Sequence, residues 1–445
     1  MRTRFPWIAA IVALVAIGLL MACSNKYTAA SNGLVVVPTY GSAVMQTFSL
    51  DLSNGQVSQI NNVIGPPTPG FPGAVVLDPA GAFAYVIVTQ NATLPGSATG
   101  IVSYKIQADG KLAAGSAPAA MQPTSPTVNV PCVTATSTST PAQVTPAPVV
   151  PNSLAIDSAG KYLFVADVAT SGITQQYTCN GVTATSTVAV PGTVSVFSVS
   201  SGTLTEVAGS PFPLSQPGQV QGAASASALA VTPTVRPPLF AACSGTAAPT
   251  TENLYVTDSV NNVLLNYSVS SSGALALAAI PTYPTGTTPS GVAVDSCSQF
   301  VYVANAASNN VSAFTICAAI SQSCPLADYS LQAVASSPFA AGDAPGPIAV
   351  DPFAKYVYVV DTGSSQLSGF RISPSNGALT AIAGTPTATN TGANSIAIRA
   401  DGAWILVANF ITGNVSEYAI TQATGALTPQ APFVTLNNPT GVAVK

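Results

Sequence analysis

The chain has no histidine in 445 residues, carries only 11 lysines and arginines against 15 aspartates and glutamates, and is 6% charged overall. The missing imidazole excludes Ser-His-Asp and Cys-His catalytic units, imidazole metal ligation and a histidine base working near neutral pH. So few cations, two of them at the extreme N-terminus, cannot make the positive footprint that nucleic acids require, and no nucleic-acid partner is expected. A Gly-x-x-x-x-Gly-Lys-Ser/Thr phosphate loop and a dinucleotide fingerprint are also lacking. Long apolar runs are scarce too. The one that occurs lies at the front of the chain.

Arg2 and Arg4 precede an almost wholly apolar stretch from Ile8 to Leu20, shorter than the roughly 20 residues that span a bilayer. Leu20-Met21-Ala22-Cys23 resembles the bacterial lipobox, in which small residues precede a thiol that becomes acylated. The resemblance implies that residues 1–22 are a signal peptide, that Cys23 is lipidated, and that the protein is exported and held to the membrane by that lipid. Ser24, rather than Asp, after the cysteine implies sorting to the outer membrane, by similarity to lipoproteins of two-membrane bacteria. Removing both leader arginines leaves nine basic against 15 acidic side chains. Residues 23–33 are polar and small, a lipidated flexible tether spanning about 15–20 Å. The folded domain is expected over 34–445.

That domain repeats itself. A short apolar run ending in a turn recurs at Ala74–Asp78, Ser153–Asp157, Ala228–Thr232, Gly291–Asp295, Pro347–Asp351, Ser395–Arg399 and Gly441–Lys445. A second run, rich in β-branched and aromatic residues, follows as in Tyr162–Asp167, Phe300–Asn305 and Trp404–Asn409, with Leu34–Thr39 at the front. A third run carries one ring at a fixed place: Phe48, Tyr104, Phe197, Tyr267, Phe314, Phe370 and Tyr418. A Gly-x-apolar turn then leads to a weaker fourth strand at Gly55, Gly110, Gly202, Gly273, Gly377 and Gly425; the copy beginning near Cys317 departs from it. Seven units of four short strands predict an all-β fold, a seven-bladed β-propeller of four-stranded antiparallel blades. The chain starts with a second unit and ends with an isolated first unit, so its N- and C-terminal strands are expected to share one blade and close the ring. The fixed rings are read as packing between blades. Asp78, Asp157, Asp295 and Asp351 are read as acceptors for the amides of the turns that follow them. Asp167, Asp258, Asp361, Asn305 and Asn409 are read as the same device one hairpin later.

Tyr302-Val303-Ala304-Asn305 with Val311–Ile316, Gly291-Val292-Ala293-Val294-Asp295, and Gly209-Ser210-Pro211-Phe212 with its variant Ser336-Ser337-Pro338-Phe339 carry a resemblance to bacterial propellers of the YVTN-repeat and lactonase-like type. It covers about residues 34–445. It implies the propeller fold, while its activity varies, because such repeats occur in lactone hydrolases, surface proteins and lipoproteins alike.

Insertions are expected near 113–150, 170–192, 233–252 and 317–329, where the spacing between repeats widens. The first is uncharged and rich in Pro, Thr, Ser, Ala and Val. Six cysteines follow the insertions, and an exported chain suggests disulfides. Cys317 and Cys324 bracket one hairpin loop, and Cys243 and Cys297 lie in equivalent turns of neighbouring blades, leaving Cys132 with Cys179. Their scatter, without Cys-x-x-Cys spacing, argues against a metal site, and none is expected.

Lactone hydrolysis needs a base or metal to activate water and a donor to stabilise the oxyanion. Glu206, Glu252 and Glu417 are the only glutamates; Arg236, Arg371 and Arg399 are the only arginines beyond the leader. Arg399 stands where four other repeats carry Asp and is the one candidate for a catalytic cation at a channel mouth. The expectation is a monomeric, non-catalytic binding or scaffold module at the cell envelope, anchored by lipid and engaging an envelope protein or a glycan through neutral loops. The alternative is a lactonase-like hydrolase of 6-phosphogluconolactonase type that works without histidine. No cofactor is expected for the first; a bound Ca²⁺ belongs to the second.

Overall fold

A computed structural model describes residues 32–90, 99–113, 115, 118–121, 150–168, 170–179, 182–214, 224–234, 243, 251–318, 324 and 329–445. Seven antiparallel sheets stand around a central channel as the blades of a β-propeller, and no α-helix occurs among the described residues. Each blade runs outward from an inner strand through second and third strands to an outer one. Blade 5 shows the plan: Pro289–Val294, Phe300–Asn305, Asn310–Ile316, then Leu331–Ala333 and Phe339–Ala340 at the rim. Second strands lie mid-blade with neighbours on both sides, so Phe300–Asn305, Tyr356–Asp361 and Trp404–Asn409 are buried throughout instead of alternating. All seven repeated rings are buried.

Blade 1 is composite. Asn32–Thr39, Val44–Asp51 and Val57–Ile64 come from the front of the domain, and Ala443–Val444 supplies the inner strand from its end. Val35 pairs with Val444 and Val36 with Ala443, Lys445 N–H donates to Leu34 O, and Thr440 N–H donates to Pro38 O. Main-chain pairing therefore closes the ring where an open strand edge would otherwise be exposed.

Blades lock to one another through a ring and a glycine. In five blades the aromatic that starts the second strand presses on the glycine of the next blade's third-to-outer turn: Phe83 on Gly202, Tyr162 on Gly273, Phe300 on Gly377, Tyr356 on Gly425 and Trp404 on Gly55. A Cβ at any of these glycines would lie 2.2–2.5 Å from the ring, and each has a left-handed φ between 74° and 84°. Both facts demand glycine. Hydroxyls reinforce some junctions: Tyr302 donates to Gly377 O, Tyr358 to Gly425 O and Tyr162 to Ser271 O.

The turn aspartates behave as expected. Oδ1 of Asp78, Asp157, Asp295 and Asp351 accepts from the amides four and five residues on, at 2.5–3.1 Å. Disulfides join Cys243 to Cys297, tying the inner-to-second turns of blades 4 and 5, and Cys317 to Cys324, closing the one third-to-outer loop that lacks the glycine turn. Cys23, Cys132 and the side chain of Cys179 lie outside the described residues, as does Arg236.

Gly377→Ala adds left-handed strain and a clash with Phe300, a combined cost of about 2–4 kcal/mol. Gly384 has a similar φ of 85° with no atom near its would-be Cβ, so Gly384→Ala is expected to cost only about 1–2 kcal/mol. Urea unfolding of the two variants measures the difference assigned to the ring.

Candidate functional site

The two ends of the ring differ by topology. Inner-to-second and third-to-outer turns lie at the end where the chain enters at Asn32, opposite Asp51, termed the tether end after the tether expected from the sequence. Second-to-third loops and blade-to-blade crossings lie at the other, the mouth end. Two expected insertions leave from the mouth. One is the connection to Val150; the other is a β-hairpin, Thr170–Cys179 with Val182–Val190. The insertions near 233–252 and 317–329 leave from the tether end.

At the mouth, the inner strands of blades 2 to 7 each break register near their second residue: Pro72/Val75, Pro151/Ser153, Ala226/Ala228, Pro289/Gly291, Pro345/Ile348 and Ala393/Ser395. A bulge re-aims the residue it frees. Here that residue reaches across to the next blade. Asn152 Nδ2 donates to Ser227 O (2.7 Å), Ser227 Oγ to Pro289 O (2.6 Å), Ser290 Oγ to Pro345 O (2.7 Å) and Asn394 Nδ2 to Pro439 O (3.2 Å). Thr440 Oγ1 continues the chain in blade 1, donating to Pro72 O at 2.8 Å. Blades 2 and 6 place Gly73 and Gly346 at this position, where no side chain is available to donate across the junction. These positions were not singled out from the sequence, although a signal exists: one small polar residue, or glycine, stands immediately before every first unit.

The ring of bulges surrounds a cavity of about 590 Å³ whose walls include Asn152, Ser227, Ser290, Asn394, Thr440 and Phe410 and, among the described residues, no Asp, Glu, Lys or Arg. Asn394 Oδ1 has no partner there. Three rings gather at the rim from blades 1, 2 and 7. Tyr40 stacks on Phe71 with centroids 4.2 Å apart, and Phe410 lies 6.3 Å from Tyr40. Tyr40 is 43% exposed, so this aromatic surface faces solvent.

The carboxylates at this end are engaged elsewhere. Asp258 accepts the turn amides of Val260 and Asn261. The other residues at the ends of second strands differ from the expected turn device, because the third strand places a hydroxyl or amide opposite them. Asp167 Oδ2 accepts from Thr193 and Ser195, and Asp361 Oδ2 from Ser368. Asn305 donates to Asn310 and Ser312, and Asn409 to Asn414 and Ser416. Burial pushes the Asp167 pKa up to about 7 and that of Asp361 up to about 6, against the pull of these hydrogen bonds; the Asp343 charge adds to the rise at Asp361. None of these carboxylates lines the cavity.

Arg399 does not line it either. It sits in the inner-to-second turn of blade 7 at the tether end, where its guanidinium bonds Asp401, and Asp401 in turn accepts the Ala403 amide. The pair substitutes for the turn aspartate of other blades. Glu206 accepts from Ser210, Glu252 from Thr234, and Arg371 lies on the third strand of blade 6, so these groups do not converge. The cavity offers hydroxyl and amide oxygens and no carboxylate, which does not fit the oxygen cage, usually carboxylate-rich, of a resident Ca²⁺.

Residues 189–322 and 321–444, more than half of the chain, match the family model described as lactonase, seven-bladed β-propeller. The chain belongs to that lactonase family. Among solved structures, a periplasmic gluconolactonase of Pseudomonas aeruginosa is 18% identical with a TM-score of 0.63, covering 93% of this chain and 99% of that one. A Bacteroides fragilis protein provisionally named a 6-phosphogluconolactonase is 17% identical with a TM-score of 0.64, covering 95% and 100%. At these identities the likeness establishes the fold. No curated protein matches the chain.

Among the described carboxyl groups of this lactonase-family ring, Glu417 is shifted by burial alone. Glu417 takes the third-strand place held by Thr47, Asn266 or Ala313 in other blades, and strand alternation turns it toward blade 1 with Val415 and Ala419. Its Oε1 has no partner, and burial alone pushes its pKa up to about 7 from an ordinary value of 4.5. The folded state therefore holds this proton more tightly than the unfolded chain. The associated stability is complete below pH 4.5 and is lost as pH rises through about 7, a change of about 3 kcal/mol. Glu417→Gln is expected to lose about 2–3 kcal/mol less than the parent between pH 4.5 and pH 8; urea unfolding across that range measures it.

Proposed function

We propose that this lactonase-family propeller binds a neutral sugar or sugar lactone at its channel mouth, as an exported module held to the membrane through Cys23. The observation that carries the reading is the composition of the mouth: a ring of amides and hydroxyls without any charge, bordered by Tyr40, Phe71 and Phe410. Hydroxyls and a lactone carbonyl are matched by Asn, Ser and Thr, and the apolar face of a sugar ring lies well on an aromatic platform. An anionic sugar acid finds no cation there. The address is supported by the lipobox-like run ending at Cys23 and by two disulfides, bonds that persist in oxidising compartments. Entry of the chain at the tether end would leave the mouth facing away from the membrane.

Lactone hydrolysis is the second reading, favoured by the family match. In it the mouth's donors polarise the lactone carbonyl, while activation of water falls to a group outside the cavity walls.

Calorimetric titration with aldonolactones, their open-chain aldonates and neutral oligosaccharides tests both readings, with proton release followed in parallel. Binding of a neutral member is expected, weakened about tenfold by Phe410→Ala through the lost stacking. The aldonates should bind more weakly than their lactones. No binding by any neutral member overturns the reading; proton release above buffer that Phe410→Ala diminishes establishes hydrolysis instead.

A further inference from the structure

A second cavity, of about 250 Å³, opens at the tether end between blades 5 and 6. The rings of Phe300, Phe353 and Tyr356 form part of its wall, and Lys355 and Arg371 bring two positive charges to it. The ladder explains the pairing: Lys355 immediately precedes the second strand of blade 6, and Arg371 lies directly opposite Tyr356 on the third. Both side chains are exposed, and neither forms an ion pair or a side-chain hydrogen bond among the described residues. Lys355 Nζ stands 5.6 Å from the centre of the Phe353 ring. The neighbouring carboxylate, Asp351, is buried, with Oδ1 given to the amides of Lys355 and Tyr356. Most other cations are engaged: Lys111 with Asp109, Arg399 with Asp401, Lys161 with Ser271 O and Lys445 with Ala80 O.

Charge is also sorted between the two ends. Every described lysine and arginine (Lys105, Lys111, Lys161, Lys355, Arg371, Arg399 and Lys445) sits in or beside a tether-end turn, whereas the mouth end carries Asp167, Asp258, Asp343 and Asp361 and no cation. In a chain with a net charge of −4, two unpaired cations sharing one aromatic-walled cavity are out of proportion. Aromatic faces and adjacent cations are the pairing that holds a planar or apolar body bearing an anionic head.

We infer that this cavity is an anion-binding site, independent of the mouth, that takes a phosphate or carboxylate group between Lys355 and Arg371 with the attached body against the three rings. The head group comes either from an anionic phospholipid or from a free organic phosphate. The full chain carrying Cys23→Ser, so that no acyl group contributes, tests this with two probes: phenyl phosphate by calorimetric titration, and cosedimentation with phosphatidylcholine vesicles with or without phosphatidylglycerol. Binding of at least one anionic probe is expected, weakened about tenfold or more in the Lys355→Gln/Arg371→Gln double variant and unchanged in Lys105→Gln. Binding to the phosphatidylglycerol vesicles alone identifies the lipid head group as the ligand; binding to phenyl phosphate identifies the free anion. Absence of binding by both probes, or an equal loss in Lys105→Gln, overturns the site.

Discussion

The ring depends above all on blades being seated on one another through one aromatic side chain and one glycine, a contact made at five blade junctions. Phe83, Tyr162, Phe300, Tyr356 and Trp404 fill the space that a Cβ would need at Gly202, Gly273, Gly377, Gly425 and Gly55. The contact fixes the angle between neighbouring sheets, because the ring can approach only where the turn has a left-handed φ and no side chain. Apolar clusters then form between blades rather than within them, as where Val35, Val37 and Phe48 of blade 1 pack on Leu406, Ala408 and Val415 of blade 7. Packing and backbone pairing carry the stability, since the described residues hold only two ion pairs, each between residues two apart in a turn. A chain that is 6% charged loses little by it.

Fixed blade angles also create the mouth. Seven inner strands converge there, their channel-facing edges meet no further strand, and bulges turn the second residue toward the neighbouring blade. Asn152, Ser227, Ser290, Asn394 and Thr440 consequently do two jobs. Their donors tie junctions together, while their placement lines the cavity with neutral polar groups. The carboxylates nearby are taken up by third-strand hydroxyls at Asp167 and Asp361 and by turn amides at Asp258, so the cavity is polar without being charged.

The repeats made the architecture readable because each unit keeps its landmarks at nearly constant spacing. The third-strand rings, the turn aspartates and the left-over first unit at the end all stand where the seven-fold pattern places them. The glycine turns were legible as turns, but their aromatic partners lie in a different blade, and only the assembled ring shows the contact. The mouth was less legible for the same reason. It draws one small residue from each blade, dozens of positions apart, and Ser227 or Ser290 in isolation reads as an ordinary strand-start residue. Tyr40 and Phe410 lie in the turns of blades 1 and 7, and Phe71 begins the inner strand of blade 2. Arg399 misled in the opposite sense: its rarity drew attention, yet strand direction puts it at the far end of the channel, where Asp401 neutralises it.

Strand direction is what gives the two ends different chemistry. Among the described residues, lysine and arginine occur in or beside the turns of the tether end, where long side chains can lie over ring edges, as Lys161 lies 4.7 Å from the centre of Tyr162. The mouth end instead carries hydroxyls, amides and aspartates, of which Asp343 is exposed. A ligand without charge meets no electrostatic cost at the neutral mouth, whereas an anion approaching that end meets Asp343 and Asp361 and is repelled. The same anion finds unpaired cations only at the tether end. Selection by charge thus follows from where antiparallel strands put their turns, before any particular side chain has touched a ligand.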